Sequence, residues 1–147
     1  MKNQMINRLQ DNLRLIRTLL NISCEALGEK IGLSKQSISN LELKNSPMTF
    51  CQYVTLRLVF DEISINNENF KYIIYMILDY DHDIQLVNNI IIKLKSEIFS
   101  SSFKTRRKSY ELNKIIDSIF NSIIKPILTD DIIYAVDNIN IYLPRYL

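Results

Sequence analysis

Ser23-Cys24-Glu25-Ala26-Leu27-Gly28-Glu29-Lys30-Ile31-Gly32-Leu33-Ser34-Lys35-Gln36-Ser37-Ile38-Ser39-Asn40-Leu41-Glu42 contains two short helical stretches around a single breaker. Ser23 is suited to cap a helix over about 24–31, and Ser34 a second over about 35–43. A sharp turn between them needs a left-handed residue, which Gly32 supplies without a steric penalty. Leu27, Ile31 and Leu33 then face Ile38 and Leu41 and fix the angle between the two helices. The outward positions of the second helix are Lys35, Gln36, Ser39 and Asn40, all polar and none acidic. Donors and amides without carboxylates are what a helix needs to lie beside base edges in a phosphate-lined groove.

Outward from this stretch the pattern stays helical. Leu9, Leu13, Ile16 and Leu20 mark a first helix over about 5–20, with Asn21 as its left-handed end. Thr49 caps a fourth helix running to about Phe60 after a turn at Asn45-Ser46-Pro47. Ser64–Asn69 reads as a connector. Phe70, Ile73, Ile74, Ile77 and Leu78 form a further apolar stripe, as do Val87, Ile90, Ile91, Leu94 and Ile98. Residues 100–109 are polar and basic. Leu112, Ile115, Ile116, Ile119, Phe120, Ile123 and Ile124 then repeat at helical spacing until Pro126 stops them. Thr129 caps a last helix near 130–142, with Asp130 and Asp131 on the favourable end of its dipole. The expected fold is all-α, with a DNA-binding domain over 1–65 and a helical dimerisation or effector domain over 66–147.

Composition narrows the function classes. The chain has 147 residues and is 47% apolar, enough for a packed core. The stretch that comes nearest to a membrane span, Ile84–Phe99, is broken by Gln85, Asn88, Asn89, Lys93, Lys95 and Glu97, so no membrane segment is expected. The N-terminus lacks the pattern of a signal peptide, and a cytoplasmic protein is expected. Cys24 and Cys51 have no CxxC spacing and read as small apolar residues. A single histidine, His82, leaves too little material for a zinc site or a histidine base. Neither an enzyme nor a cofactor is expected. The net charge of +2 is unevenly spread. Residues 1–60 hold eight basic and four acidic residues, a net +4, which points to a polyanion partner for that part.

The run from Leu13 to Phe60 resembles the Cro/C1-type (XRE) helix-turn-helix family. The resemblance rests on LRLIR at 13–17, the quoted segment at 23–42, and Pro47-Met48-Thr49 opening a fourth helix. It implies a four- to five-helix DNA-binding domain in which Arg17 pairs with Glu42. Losing one partner of such a buried pair costs about 3–5 kcal/mol. It also implies Lys35, Gln36, Asn40 and Ser39 as base readers. Gln36 or Asn40 would suit adenine, and Lys35 guanine. Ser34, Ser37, Lys44, Asn45 and Thr49 are phosphate candidates, with the backbone N–H of Cys24. The chain departs from the family pattern in three places. Cys24 stands where a glutamine usually opens the second helix, and Gly28 replaces an alanine at a cost of up to about 1 kcal/mol of helix propensity. The loop after Glu42 is one residue short and lacks its glycine.

The expected function is that of a homodimeric, sequence-specific double-stranded DNA-binding repressor of phage or mobile-element type. The alternative keeps the DNA-binding fold but gives 66–147 a protein target, as in an antitoxin or an inhibitor of a host defence enzyme. Asp79, Asp81, His82 and Asp83 lack calcium-loop spacing and read as a solvated helix break. Lys104, Arg106, Arg107 and Lys108 read as a solvated loop. The apolar stripes beyond residue 70 exceed what short helices need and argue for self-association.

Overall fold

A computed structural model describes residues 2–99 and 109–138. Every regular element among the described residues is helical, the α-helices being α1 (Lys2–Leu19), α2 (Cys24–Ile31), α3 (Lys35–Glu42), α4 (Phe50–Ile63), α5 (Glu68–Leu78), α6 (Ile84–Ile98), α7 (Ser109–Ile119) and α8 (Asp130–Asp137). The basic run Lys104–Lys108 lies outside the described residues, as does the expected end of the last helix beyond 138.

Helix α1 is the centre of the molecule. Ile6, Gln10, Leu13, Leu9, Ile16, Asn12, Leu19 and Leu15 are all buried. At 100° per residue they cover an arc of about 220°, roughly twice the stripe of an ordinary surface helix. One side of α1 packs on α3 and α4, the other on α5 and α6. The buried apolar side chains form one cluster that runs from Ile6 to Val136.

Local chemistry sets most boundaries. Asn21 and Lys44 adopt left-handed backbone at φ 57° and 61°, ending α1 and α3. Each end is closed by a pair of backbone bonds: Ile22 N to Arg17 O and Asn21 N to Thr18 O, then Asn45 N to Asn40 O and Lys44 N to Leu41 O. Thr49 and Gln52 form a reciprocal capping box at the start of α4. Asn67, Asp83 and Thr129 cap α5, α6 and α8.

Three expectations change. The connector at 64–69 is a 3-10 turn, Ser64–Asn66, that leads directly into α5. The helix expected to run unbroken to Pro126 ends at Ile119, then widens into a π turn, Phe120–Ile124, and tightens at Lys125–Ile127. Pro126 has no N–H, and its ring crowds the carbonyl four residues back, so the regular ladder fails ahead of it. The apolar stripes beyond residue 70 are also consumed inside the chain. Phe70, Ile73, Ile74, Ile77, Leu78, Ile90, Leu94, Ile98, Ile116 and Ile119 are all buried. Their abundance therefore no longer argues for a second copy.

Candidate nucleic-acid interface

The unit formed by α2, the turn at 32–34 and α3 is assembled by short-range bonds. Ser23 Oγ accepts from Ala26 N at 3.0 Å, and Ser34 Oγ accepts from Ser37 N at 3.0 Å. Gly32 sits at φ 75°, where a side chain is strained. Gly28 is fixed by a different constraint. A Cβ there would lie 2.3 Å from the Leu33 carbonyl oxygen, and Leu33 N donates to Gly28 O. The missing methyl lets α2 and the turn meet, so glycine here is more than a weak helix former.

Two side chains seven residues apart on α1 grip the last turn of α3. The buried Gln10 amide donates to Leu41 O at 3.0 Å and to Ser46 O at 2.8 Å, and its oxygen accepts from Met48 N at 3.2 Å. Arg17 makes a two-pronged ion pair with Glu42, the Nη2–Oε1 arm at 3.1 Å, and donates to Ile22 O at 2.9 Å. Burial works to lower the Arg17 pKa, but the Glu42 hydrogen bond and charge outweigh it and the net shift is upward. The angle of α3 on the body is thus held by polar groups as well as by Ile38 and Leu41.

Lys35 and Gln36 are exposed on the outer face of α3, while Ser39 and Asn40 are half-exposed. Gln36 Nε2 donates to Asn40 Oδ1 at 3.1 Å. That bond holds the two amides together and leaves an acceptor on Gln36 and a donor on Asn40, the complement of the adenine edge. Flanking groups differ in what they still offer. Lys44 is exposed and pairs with Asp11, itself more than half exposed. Such a pair contributes little and exchanges readily for a phosphate. Asn45 is exposed. The hydroxyls of Ser34 and Ser37 lie 2.9 Å apart and bond each other. The Thr49 hydroxyl is engaged by Gln52 N at 3.1 Å. The Cys24 thiol turns inward, 3.8 Å from Glu42 Oε2, and burial followed by the Glu42 charge pushes its pKa up. Only the backbone N–H of Cys24 therefore suits a phosphate.

The charge of this region is smaller at the surface than along the chain. Arg8, Arg17 and Arg57 are turned inward onto carbonyls and carboxylates. Lys2, Arg14, Lys30, Lys35 and Lys44 are exposed, against exposed Asp11, Glu25 and Glu29. Among the described residues no group of side chains converges to hold a metal ion, and no helix is long and apolar enough to cross a membrane. No family model, curated protein or solved structure matches this chain.

The Arg17–Glu42 pair is the one the resemblance implied; sequence reasoning missed three other long-range polar locks. Gln10 is one. A second is Arg8, which donates to Met76 O, Ile77 O and Tyr80 O at 2.9, 2.6 and 2.6 Å and so neutralises the carbonyl end of α5. The third is Arg57, whose guanidinium bonds Asp79 at 3.0 and 2.8 Å, both side chains 1% exposed. Asp79 is therefore the buried counter-ion of α4, in contrast to the solvated break expected at 79–83. The available signal was a charged residue in the apolar phase of its helix: Arg57 falls between Tyr53, Leu56 and Phe60.

Proposed function

We propose that this chain is a sequence-specific double-stranded DNA-binding transcriptional regulator, with α3 entering the major groove. The observation that carries the reading is the acid-free outer face of α3, where Lys35 stands beside a hydrogen-bonded Gln36–Asn40 amide pair. The helix N-termini of α2 and α4, with Lys44 and Asn45, supply groups that suit phosphates on either side. A single module of this size binds weakly, so the reading includes two copies on an operator with two half-sites about one helical turn apart. Repression of a phage or mobile-element promoter in the cytoplasm is the form of regulation proposed.

The test is selection of bound sequences from a randomised duplex pool. A defined motif is expected, with adenine at the position read by the amide pair. Gln36→Ala should relax preference at that position by about 1–3 kcal/mol and leave the melting temperature unchanged. An unaltered motif would move the readout away from α3.

A further inference from the structure

The buried face of α6 is spent inside the chain, but the helix carries a second apolar row that is not. Val87, Ile90, Leu94 and Ile98 point into the core. Ile84 and Ile92, two turns apart, are 60% and 65% exposed, and exposed Asn88 stands between them. At 100° per residue this row lies about 115° round the helix from the buried one. The partly buried Ile91 and Phe99 extend its apolar surface. Residues at i, i+4 and i+8 form a ridge of the kind that seats in the groove of a neighbouring helix.

The charges around the row select what covers it. Asp81 and Asp83 are exposed just ahead of the first turn of α6, and Lys93 and Lys95 are exposed towards its other end. Beyond them the Arg14 guanidinium of α1 lies 4.6 Å from the Phe99 ring. The helix is therefore acidic at its start and basic at its finish. A second α6 laid antiparallel sets each acidic end against a basic one, whereas a parallel copy sets like against like.

We propose that α6 pairs with α6 of a second copy, antiparallel about a two-fold axis at Asn88. In that register Ile84 of each copy meets Ile92 of the other, and the acidic end holding Asp81 faces Lys95. The two Asn88 amides meet at the axis, where each offers the other a donor and an acceptor. A two-fold interface requires this self-complementarity. The isoleucines supply affinity, while Asn88 and the charges fix register and orientation. One helix covers less than the roughly 800 Å² per partner of a standard interface, so the free dimer is weak and reversible.

This contact supplies the pairing of copies that the DNA-binding reading calls for, and it rests on that reading for its use alone. It is tested on the full chain without DNA, so that failure of one is distinguishable from failure of the other. Sedimentation equilibrium over a range of concentrations should show a monomer–dimer equilibrium. Ile92→Asp, at an exposed position, should weaken it by at least about tenfold with an unchanged circular dichroism spectrum. Asp81→Lys should weaken it about two- to thirty-fold, since two attractive contacts become repulsive. Adding Lys95→Glu should restore it. The two positions stand about 20 Å apart along one helix, beyond the screening length, so only an antiparallel neighbour brings them together. A chain that stays monomeric at every soluble concentration would leave this face to a different partner and overturn the proposal. So would a dimer indifferent to Ile92→Asp, or one that the second charge change fails to restore.

Discussion

At position 28 a single methyl group decides a helix contact. Alanine would favour α2 by about 1 kcal/mol through propensity, yet its Cβ would sit 2.3 Å from the backbone oxygen of Leu33. Backbone cannot give way as a flexible side chain does, and overpacking of this kind costs about 1–3 kcal/mol. Gly28→Ala should lower stability in urea denaturation, and a gain would contradict the close approach of α2 to its turn. Lys44 poses the reverse case. It holds a left-handed φ of 61°, a conformation that glycine adopts freely. Lys44→Gly should therefore stabilise the fold by about 0.5–1 kcal/mol. The same change removes a phosphate candidate, so it should weaken DNA binding for all sequences alike and lower the salt slope by about 1. Stability and affinity moving in opposite directions separates the two roles of one residue.

At the scale of elements, the caps were legible from the sequence, whereas among the long-range polar locks only Arg17–Glu42 was, and that through the resemblance rather than through spacing. Ser23, Ser34, Thr49 and Thr129 act within three residues of their own positions, so local sequence contains both partners of each bond. Asn21 and Gly32 ended their helices for the same reason. Gln10 and Leu41, or Arg57 and Asp79, stand 31 and 22 positions apart, and spacing within one helix is silent about such pairs. The Arg57–Asp79 pair ties α4 to the end of α5. Burial works to lower the Arg57 pKa, but Asp79 reverses this and the net shift is upward. Arg57→Met alone should cost about 3–5 kcal/mol, because it takes the two-pronged guanidinium partner away from the buried Asp79 carboxylate. Adding Asp79→Leu should recover most of that loss in thermal or urea denaturation. Equal losses in the single and double variants would show that the ion pair itself holds α4 to α5.

Across the whole molecule, α1 joins everything else. Its face bearing Gln10 and Arg17 sets α3, and its face bearing Arg8 and Leu15 meets the helices beyond residue 68. The apolar stripes of those helices read as surplus in the sequence because periodicity reports that a face is buried without naming its partner. Here the partner is largely the chain itself. The same lesson holds for charge. A net +4 over residues 1–60 includes three arginines that the fold turns inward, so the field that meets DNA comes from a few exposed lysines and helix ends. A log–log salt slope of about −3 to −4 per copy is expected, well short of a strongly basic binder. Fluorescence anisotropy of the full chain on the selected duplex, titrated upward from about 50 mM salt, tests the central claim most directly. Saturable binding with that slope, much weaker on a scrambled duplex, is the predicted result. No binding at the lowest salt, or equal binding to both duplexes, would contradict a reading in which the outer face of α3 recognises bases.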